Sequence, residues 1–509
     1  MRKKLNIFDR FLNITETIGN ALPNPATLFA LFAVSVLFLS GIAWYFDWTA
    51  VHPSTGEVIN PVNLLSKDGL HRIMLEMVRN FTDFAPLGIV IVAMLGIGIA
   101  ESSGLIGAII RLLVLSSPKR LMTFVLVFAG VISNTASDIG YVLLIPLAGT
   151  IFLSLGRNPL VGMAAAFAGV SGGFSANLIL GTIDPLLAGL SQEAARIIDP
   201  VYEVNPTANY YFMVVSTFLI AFAGTFVTEK IVAPRLGEYT GTEKVEEIKK
   251  LDKKEKKGLL WAGIVTLVLT LLVLAGTLPE NGLLRIAGES ILKSPVIKGV
   301  IALLFIFAAA SGIAYGIASG KFKSDNDIIH GMSGAIKTLA AYIVLVFFAA
   351  QFVAYFKWSH LGEILAINGA IFLKSIDIGT IPLLLMFIIL AGTINMAMGS
   401  ASAKWAIMAP VFIPLFMELG YSPELSQVVY RIGDSVTNLI SPMMSFFALI
   451  IAFFQKYDEK ASIGTIISTM LPYTFAFFIL WSILLVIWVY FGFPLGPGAP
   501  MYYPGELAN

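Results

Sequence analysis

Arg431 and Asp434 stand three residues apart in YRIGDSVTNLISP, inside sequence that otherwise reads as lipid-facing, and Lys404 lies upstream in GSASAKWAIMAP. An ionised side chain near a bilayer centre costs about 3 kcal/mol or more, so such groups face a protein interior or a watery cavity and mark a site. Three apart on a helix, Arg431 and Asp434 share one face, and Gly433 between them leaves room for close approach. Arg431 suits a carboxylate ligand, because guanidinium stays charged and pairs bidentately with planar oxyanions. Asp434, and Asp184 in the GTIDP segment of the first half, are candidate proton carriers. Burial raises a carboxyl pKa and a neighbouring cation lowers it, so such a group can be tuned to load and release a proton. The structural alternative is that Arg431 and Asp434 are an ion pair holding a helix. Trp405 could stack on an aromatic ring, while Asn395, Ser402 and Asn438 could orient a ligand or hold a helix break closed. Glu101, Asp138 and Lys404 carry less weight, and the last two occupy near-equivalent positions of the two halves, where they could pair with each other.

These residues need elements to hold them, and composition says which kind. The chain has 509 residues, is 57% hydrophobic and 13% charged, and has a mean hydropathy of +0.84. That is the range of polytopic membrane proteins. Its net charge of +1 is segregated into loops and gives no reason to expect a nucleic-acid partner. With no cysteine, disulfides, thiol nucleophiles and Cys metal sites are all excluded, and the four scattered histidines form no i, i+4 pair. No metal and no cofactor is expected.

The apolar runs predict an all-α polytopic membrane protein with nine spans and two re-entrant hairpins. The spans are expected near 25–46, 119–155, 159–180, 208–232, 259–276, 296–319, 382–419, 424–454 and 463–491. The hairpins are expected at Phe84–Leu115, interrupted by GIGIAESSG, and at Gly331–Leu373, interrupted by FKWSHLG, because each arm looks too short to cross. Residues 186–206 read as polar loop, and the tail PLGPGAPMYYPGELAN as structureless. Gly399, Pro410, Pro414, Pro423 and Pro442 break the helices around the ionisable groups, and interrupted helices at mid-membrane are how transporters present backbone groups to a substrate.

The chain also repeats. One constant offset aligns Tyr141 with Trp405, Pro146 with Pro410, Gly156 with Gly420 and Pro159 with Pro423, and after a short gap Gly172 with Gly433 and Asn177 with Asn438. Residues 1–232 and 259–509 are read as two inverted repeats joined by a charged linker, 233–258. Placing the amino terminus in the cytoplasm puts the linker, Arg157, Lys321, Lys323, Lys456 and Lys460 inside, and leaves Lys67, Arg72, Lys119, Arg196 and Arg285 outside.

Four segments in order, SNTASDIGYVLLIPL, GVSGGFSANLILGTIDP, INMAMGSASAKWAIMAPVFIPL and YRIGDSVTNLISPMM, resemble the p-aminobenzoyl-glutamate transporter family, AbgT, and the likeness covers essentially the whole chain. The resemblance implies a bacterial inner-membrane homodimer of nine-span protomers with two hairpins. It further implies a secondary transporter of p-aminobenzoyl-glutamate, p-aminobenzoate or sulfonamides, driven by H+. The family's functional positions map onto Asp184, Asn395, Ser402, Trp405, Pro423, Arg431, Asp434 and Pro442. Two other readings compete with this one. A Na+-coupled dicarboxylate symporter would use Ser133–Thr135, whose counterpart in the second half, Ala397–Gly399, lacks the same polar residues. An intramembrane aspartyl protease would need Asp184 and Asp434 to share a proton, which Arg431 beside Asp434 disfavours.

Overall fold

The structure is a computed structural model that describes residues 23–51, 56–135, 139–241, 243, 250–286, 288–291 and 294–503. It is nearly all helix, with one two-stranded ribbon, Ala50–Val51 with Val58–Ile59. The helices are mostly uniformly apolar around their circumference, the pattern of segments surrounded by lipid and by one another.

Loop contacts sort the helix ends onto two faces. On the linker face, Lys119, Lys250 and Lys256 line one cavity with Leu115 and Leu155. On the same face Arg157 pairs with Glu229 at 2.8 Å, Arg235 donates to the Ser468 carbonyl, and the rings of Tyr239 and Tyr457 meet. On the opposite face Val62 N–H donates to Ser359 O, Asn205 Nδ2 to Ile297 O, and Thr380 Oγ1 meets the Tyr421 hydroxyl.

This sorting moves both hairpins. Helix Lys67–Ser103 is 37 residues long and crosses from the opposite face to the linker face, ending at Gly104 beside Lys321. Phe84–Leu115 is therefore not a hairpin. The glycines of GIGIAESSG do not break the helix but let neighbours approach: a Cβ on Gly96 would sit 2.7 Å from the Phe305 Cα, and one on Gly312 equally close to the Ala100 Cα. Leu105–Leu115 then lies along the linker face, and the chain turns by 111° into Lys119–Ser133. That helix and Gly140–Ser154 start and finish on the linker face, so they form the first hairpin.

The second half behaves likewise. Asp325–Thr338 and Ala340–Trp358 together cross to Ser359, so Gly331–Leu373 is not re-entrant. The second hairpin is Thr380–Ala397 with Ala401–Glu418, both outer ends lying on the opposite face, where Lys374 reaches Glu418 O. Two crossings are interrupted: Pro159–Gly172 with Ile183–Ala195, and Pro423–Asn438 with Phe447–Gln455. With Pro25–Tyr45, Tyr210–Leu236, Lys253–Thr277, Val300–Ser319 and Ile463–Phe491, the described residues give nine crossings and two hairpins. The expected totals hold while the roles of two segment pairs are exchanged. Lys119 moves with them to the linker face.

Two further expectations fail. Residues 186–206 contain the buried helix Ile183–Ala195, whose apolar positions Leu186, Leu187, Leu190 and Ala194 pack inward. The tail is ordered through Tyr503: Leu495 O accepts from Tyr211 and Phe212 N–H, Met501 O accepts from Ser422 N–H, and Tyr503 N–H donates to Gly420 O. Its Leu495, Ala499 and Met501 are buried.

Candidate functional site

The helical ladder stops at 173–181 in the first broken crossing and at 439–446 in the second, and the tips of both hairpins lie against these breaks. Each tip is clasped by an asparagine. Asn134 Nδ2 donates to Val170 O at 3.0 Å and Gly173 O at 3.3 Å, and Thr135 Oγ1 accepts from Asn177 Nδ2 at 3.1 Å. Asn395 Nδ2 donates to Asp434 O at 2.9 Å and to Asn438 Oδ1 at 2.8 Å. Asn134 and Asn395, Gly173 and Asp434, and Asn177 and Asn438 are related by an offset of 261 residues, three fewer than aligns Tyr141 with Trp405, so the structural counterpart of Asn134 is Asn395 and not a residue of Ala397–Gly399. Gly399 fits because a Cβ there would collide with the Met443 carbonyl.

Helix Pro423–Asn438 carries the chemistry. Nearly every residue in it is buried, yet Glu424, Gln427, Arg431, Asp434 and Asn438 recur every three or four positions and form one polar side. Such a side must find partners, because an unpaired buried polar group is costly. Glu424 accepts from the Tyr202 hydroxyl at 2.9 Å. Gln427 accepts from Ser191 Oγ at 2.7 Å and donates to Asn209 Oδ1 at 2.8 Å.

Arg431 and Asp434 do not pair with each other. Arg431 Nη2 lies 2.6 Å from Asp184 Oδ1 and donates to Ser175 O at 2.9 Å, so it reaches from the second half into the break of the first. Asp184 Oδ2 accepts from Gly181 N–H at 2.7 Å. Asp434 Oδ1 lies 2.5 Å from Lys404 Nζ, which also contacts Asn395 Oδ1. The four charges therefore make two closed pairs within a shell of amides. Asp138 lies outside the described residues, and Lys404 is already engaged by Asp434 and Asn395.

A cavity of about 250 Å³ opens where the breaks and tips meet. The first hairpin contributes Tyr141, the breaks Phe174, Met444, Ser445 and Phe446, the second tip Gly399–Ser402, and the helix ends Ile183 and Asn438. The Tyr141 and Phe446 rings stack at 4.7 Å with an interplanar angle of 10°. No ionised residue lines this cavity, but Phe174 precedes Ser175 and Ile183 precedes Asp184, so the Arg431–Asp184 pair sits one residue behind its wall.

Of the residues expected in the site, Ser402 lines the cavity together with Asn438. Asp184, Arg431, Asp434 and Asn395 stand behind it. Trp405 is fully buried, stacked on Tyr430 at 4.5 Å, with its indole N–H on Ser191 Oγ at 2.9 Å, so its ring faces protein rather than the cavity. Pro423 opens its helix, about 22 Å along the axis from Asn438. Pro442 lies within the second break, after Ser441, whose hydroxyl donates to Asn395 O. Sequence reasoning missed the aromatic wall of Phe174 and Phe446, which no spacing marks, and missed Glu424 and Gln427, which the three-and-four spacing could have revealed.

Known proteins share this architecture. The chain is 36% identical over 484 residues, 95% of each chain, to the p-aminobenzoyl-glutamate transport protein of Escherichia coli (strain K12). The YdaH transporter structure of Alcanivorax borkumensis superposes with a TM-score of 0.89 at 44% identity, covering 93% of this chain and 100% of that one. The structure of Neisseria gonorrhoeae MtrF, described as one of a class of antimetabolite efflux pumps, superposes with a TM-score of 0.92 at 49% identity, covering 96% and 100%. Residues 10–503 match the AbgT putative transporter family, and the chain belongs to that family of membrane transporters.

Proposed function

We propose that the protein is a proton-driven secondary transporter of small aromatic carboxylates, p-aminobenzoyl-glutamate or p-aminobenzoate among them, with sulfonamide-like antimetabolites as further cargo. The observation that carries this reading is the cavity between the two breaks, with aromatic walls and a serine and asparagine rim, set one residue from a buried arginine–carboxylate pair. The substrate ring lies against Phe446 and Tyr141, and its polar groups meet Ser402, Asn438 and the Ala401 and Ser402 N–H groups at the start of helix Ala401–Glu418, the following Ala403 N–H being capped by Ser400 Oγ. Protonation of Asp184 removes the countercharge of Arg431 and frees its guanidinium for the substrate carboxylate. Asp434 and Lys404 form the second such pair, steadied by Asn395. Trp405 buttresses the second hairpin, and Pro423 and Pro442 fix where the polar helix begins and where its continuation breaks.

In this reading, 1–232 and 259–509 are inverted repeats around the linker 233–258. Support comes from the matched asparagine clasps and from hairpins that open on opposite faces. The linker face, which holds Lys119, Arg157, Lys321 and Lys456, is cytoplasmic by its excess of basic residues. The amino terminus is on the same side, the membrane is a bacterial inner membrane, and two protomers form a homodimer.

The test is uptake of labelled p-aminobenzoyl-glutamate and p-aminobenzoate into proteoliposomes with H+ and Na+ gradients imposed separately. Accumulation with a proton gradient alone is expected. A strict need for Na+, or accumulation of aliphatic dicarboxylates only, would overturn both the coupling and the substrate class.

A further inference from the structure

We infer that the linker face carries a binding site for the headgroup phosphate of an anionic phospholipid, formed by Lys119, Lys250 and Lys256. The three lysines line a cavity of about 390 Å³ together with three serines, Ser116, Ser117 and Ser154, and an apolar remainder that includes Leu115, Met122 and Ile151. Among the described residues none of the three is in an ion pair. The neighbouring Glu255 is already committed, to Arg111 at 2.5 Å and to the cap of its own helix. Three ammonium groups with no ion-pair partner among the described residues stand around one opening and concentrate positive potential there, and lysine binds phosphate as a point charge without fixed geometry.

The walls decide what carries the phosphate. They belong to the outer ends of membrane-embedded elements: the surface helix Leu105–Leu115, both legs of the first hairpin and the residues leading into Lys253–Thr277. A free phosphate would leave the leucine, methionine and isoleucine part of the lining wet, whereas a lipid places its charged head on the lysines and serines and its first methylenes against that apolar part. Basic pockets of this kind between helices are suited to anionic headgroups. The bound lipid would also bridge a hairpin that lines the substrate cavity to the helix Lys253–Thr277, which packs on Val300–Ser319. Transport should therefore depend on anionic lipid.

The experiment is native mass spectrometry of the full-length detergent-purified protein titrated with phosphatidylglycerol or, as the zwitterionic control, phosphatidylcholine. The protein should retain phosphatidylglycerol about tenfold better. The Lys119→Gln/Lys250→Gln/Lys256→Gln variant should lose that preference, and the matching Lys→Arg variant should keep it. Millimolar inorganic phosphate should leave the lipid adduct intact. Equal retention of both lipids by the unaltered protein, or an unchanged preference in the glutamine variant, would overturn the site. Displacement by inorganic phosphate would instead make it a soluble-anion site and overturn the lipid assignment. The arginine variant, eluting as the same species on size exclusion, separates loss of charge from loss of fold.

Discussion

Arg431 and Asp184 are the sharpest place to perturb the molecule, because each is the other's charge partner across the two halves. Their side chains are 1% and 7% exposed and their charged atoms 2.6 Å apart. Arg431→Met leaves the Asp184 carboxylate buried, with the Gly181 N–H its remaining bond among those described. Asp184→Leu strands the guanidinium against the Ser175 carbonyl. Removing one member of a buried pair costs about 3–5 kcal/mol, whereas replacing both with apolar groups of similar volume is often close to neutral. The double variant should therefore be more stable than either single one, and the sum of the single effects should exceed the double effect by at least about 3 kcal/mol, the upper end for contacting residues. Reversible unfolding in mixed micelles, followed by tryptophan fluorescence, measures all four corners of the cycle. Single effects that add to within about 0.5 kcal/mol would refute the bridge between the first break and the polar helix.

Phe446→Ala should weaken binding of p-aminobenzoate about tenfold while leaving an aliphatic carboxylate unchanged, since ring stacking contributes about 0.5–1.5 kcal/mol beyond buried area; competition binding in detergent reads the difference. Gly96→Ala should destabilise by about 1–3 kcal/mol, because the new methyl meets the Phe305 backbone, while Gly88→Ala on the same helix, with open space around it, should change little; thermal unfolding of the two variants is the comparison. Burial, and then the Asp199 carboxylate, push the Tyr503 phenol up to about 12. Its neutral form is favoured when folded, so the stabilisation is complete below the ordinary phenol value of about 10 and disappears as pH rises through 12. Trp488, whose indole N–H bonds Pro494 O, should report tail release over that interval in the parent and much less in Tyr503→Phe.

How much of this was legible in the sequence depends on what each signal reports. Hydropathy reports length and lipid exposure, so the number of crossings and the breaks at Asn134–Thr135, 173–181, Met398–Ser400 and 439–446 came through. Whether a broken apolar pair crosses or returns depends on which loops its ends meet, and that is tertiary. Hence Phe84–Leu115 and Lys119–Leu155 exchanged roles. Glycine is ambiguous for the same reason: the missing Cβ that lets Gly399 sit against the Met443 carbonyl at a break also lets Gly96 and Gly312 press unbroken helices together. Charge placement marks Arg431, Asp434 and Asp184 as the ionisable groups of the site, and it gives Lys404 less weight, with Asp138 and not Asp434 as its possible partner. It could not show that Arg431 looks past Asp434 to Asp184, because a long guanidinium arm finds its partner by proximity in space rather than in the chain. Trp405 was placed in the right helix with the wrong neighbour, since no periodicity distinguishes a ring facing Tyr430 from one facing a ligand.

The ordered tail has a mechanical consequence. Met501 and Tyr503 bond the backbone at Ser422 and Gly420, just beyond the second hairpin, and Leu495 bonds the start of Tyr210–Leu236. The second hairpin is thus a lever with a fixed fulcrum at its outer end, and displacement is left to its tip at Met398–Ser400, beside the cavity. A fusion partner attached after Asn509 would hang from that fulcrum, whereas a deletion ending before Leu495 would remove it and turn the lever into a loose strut.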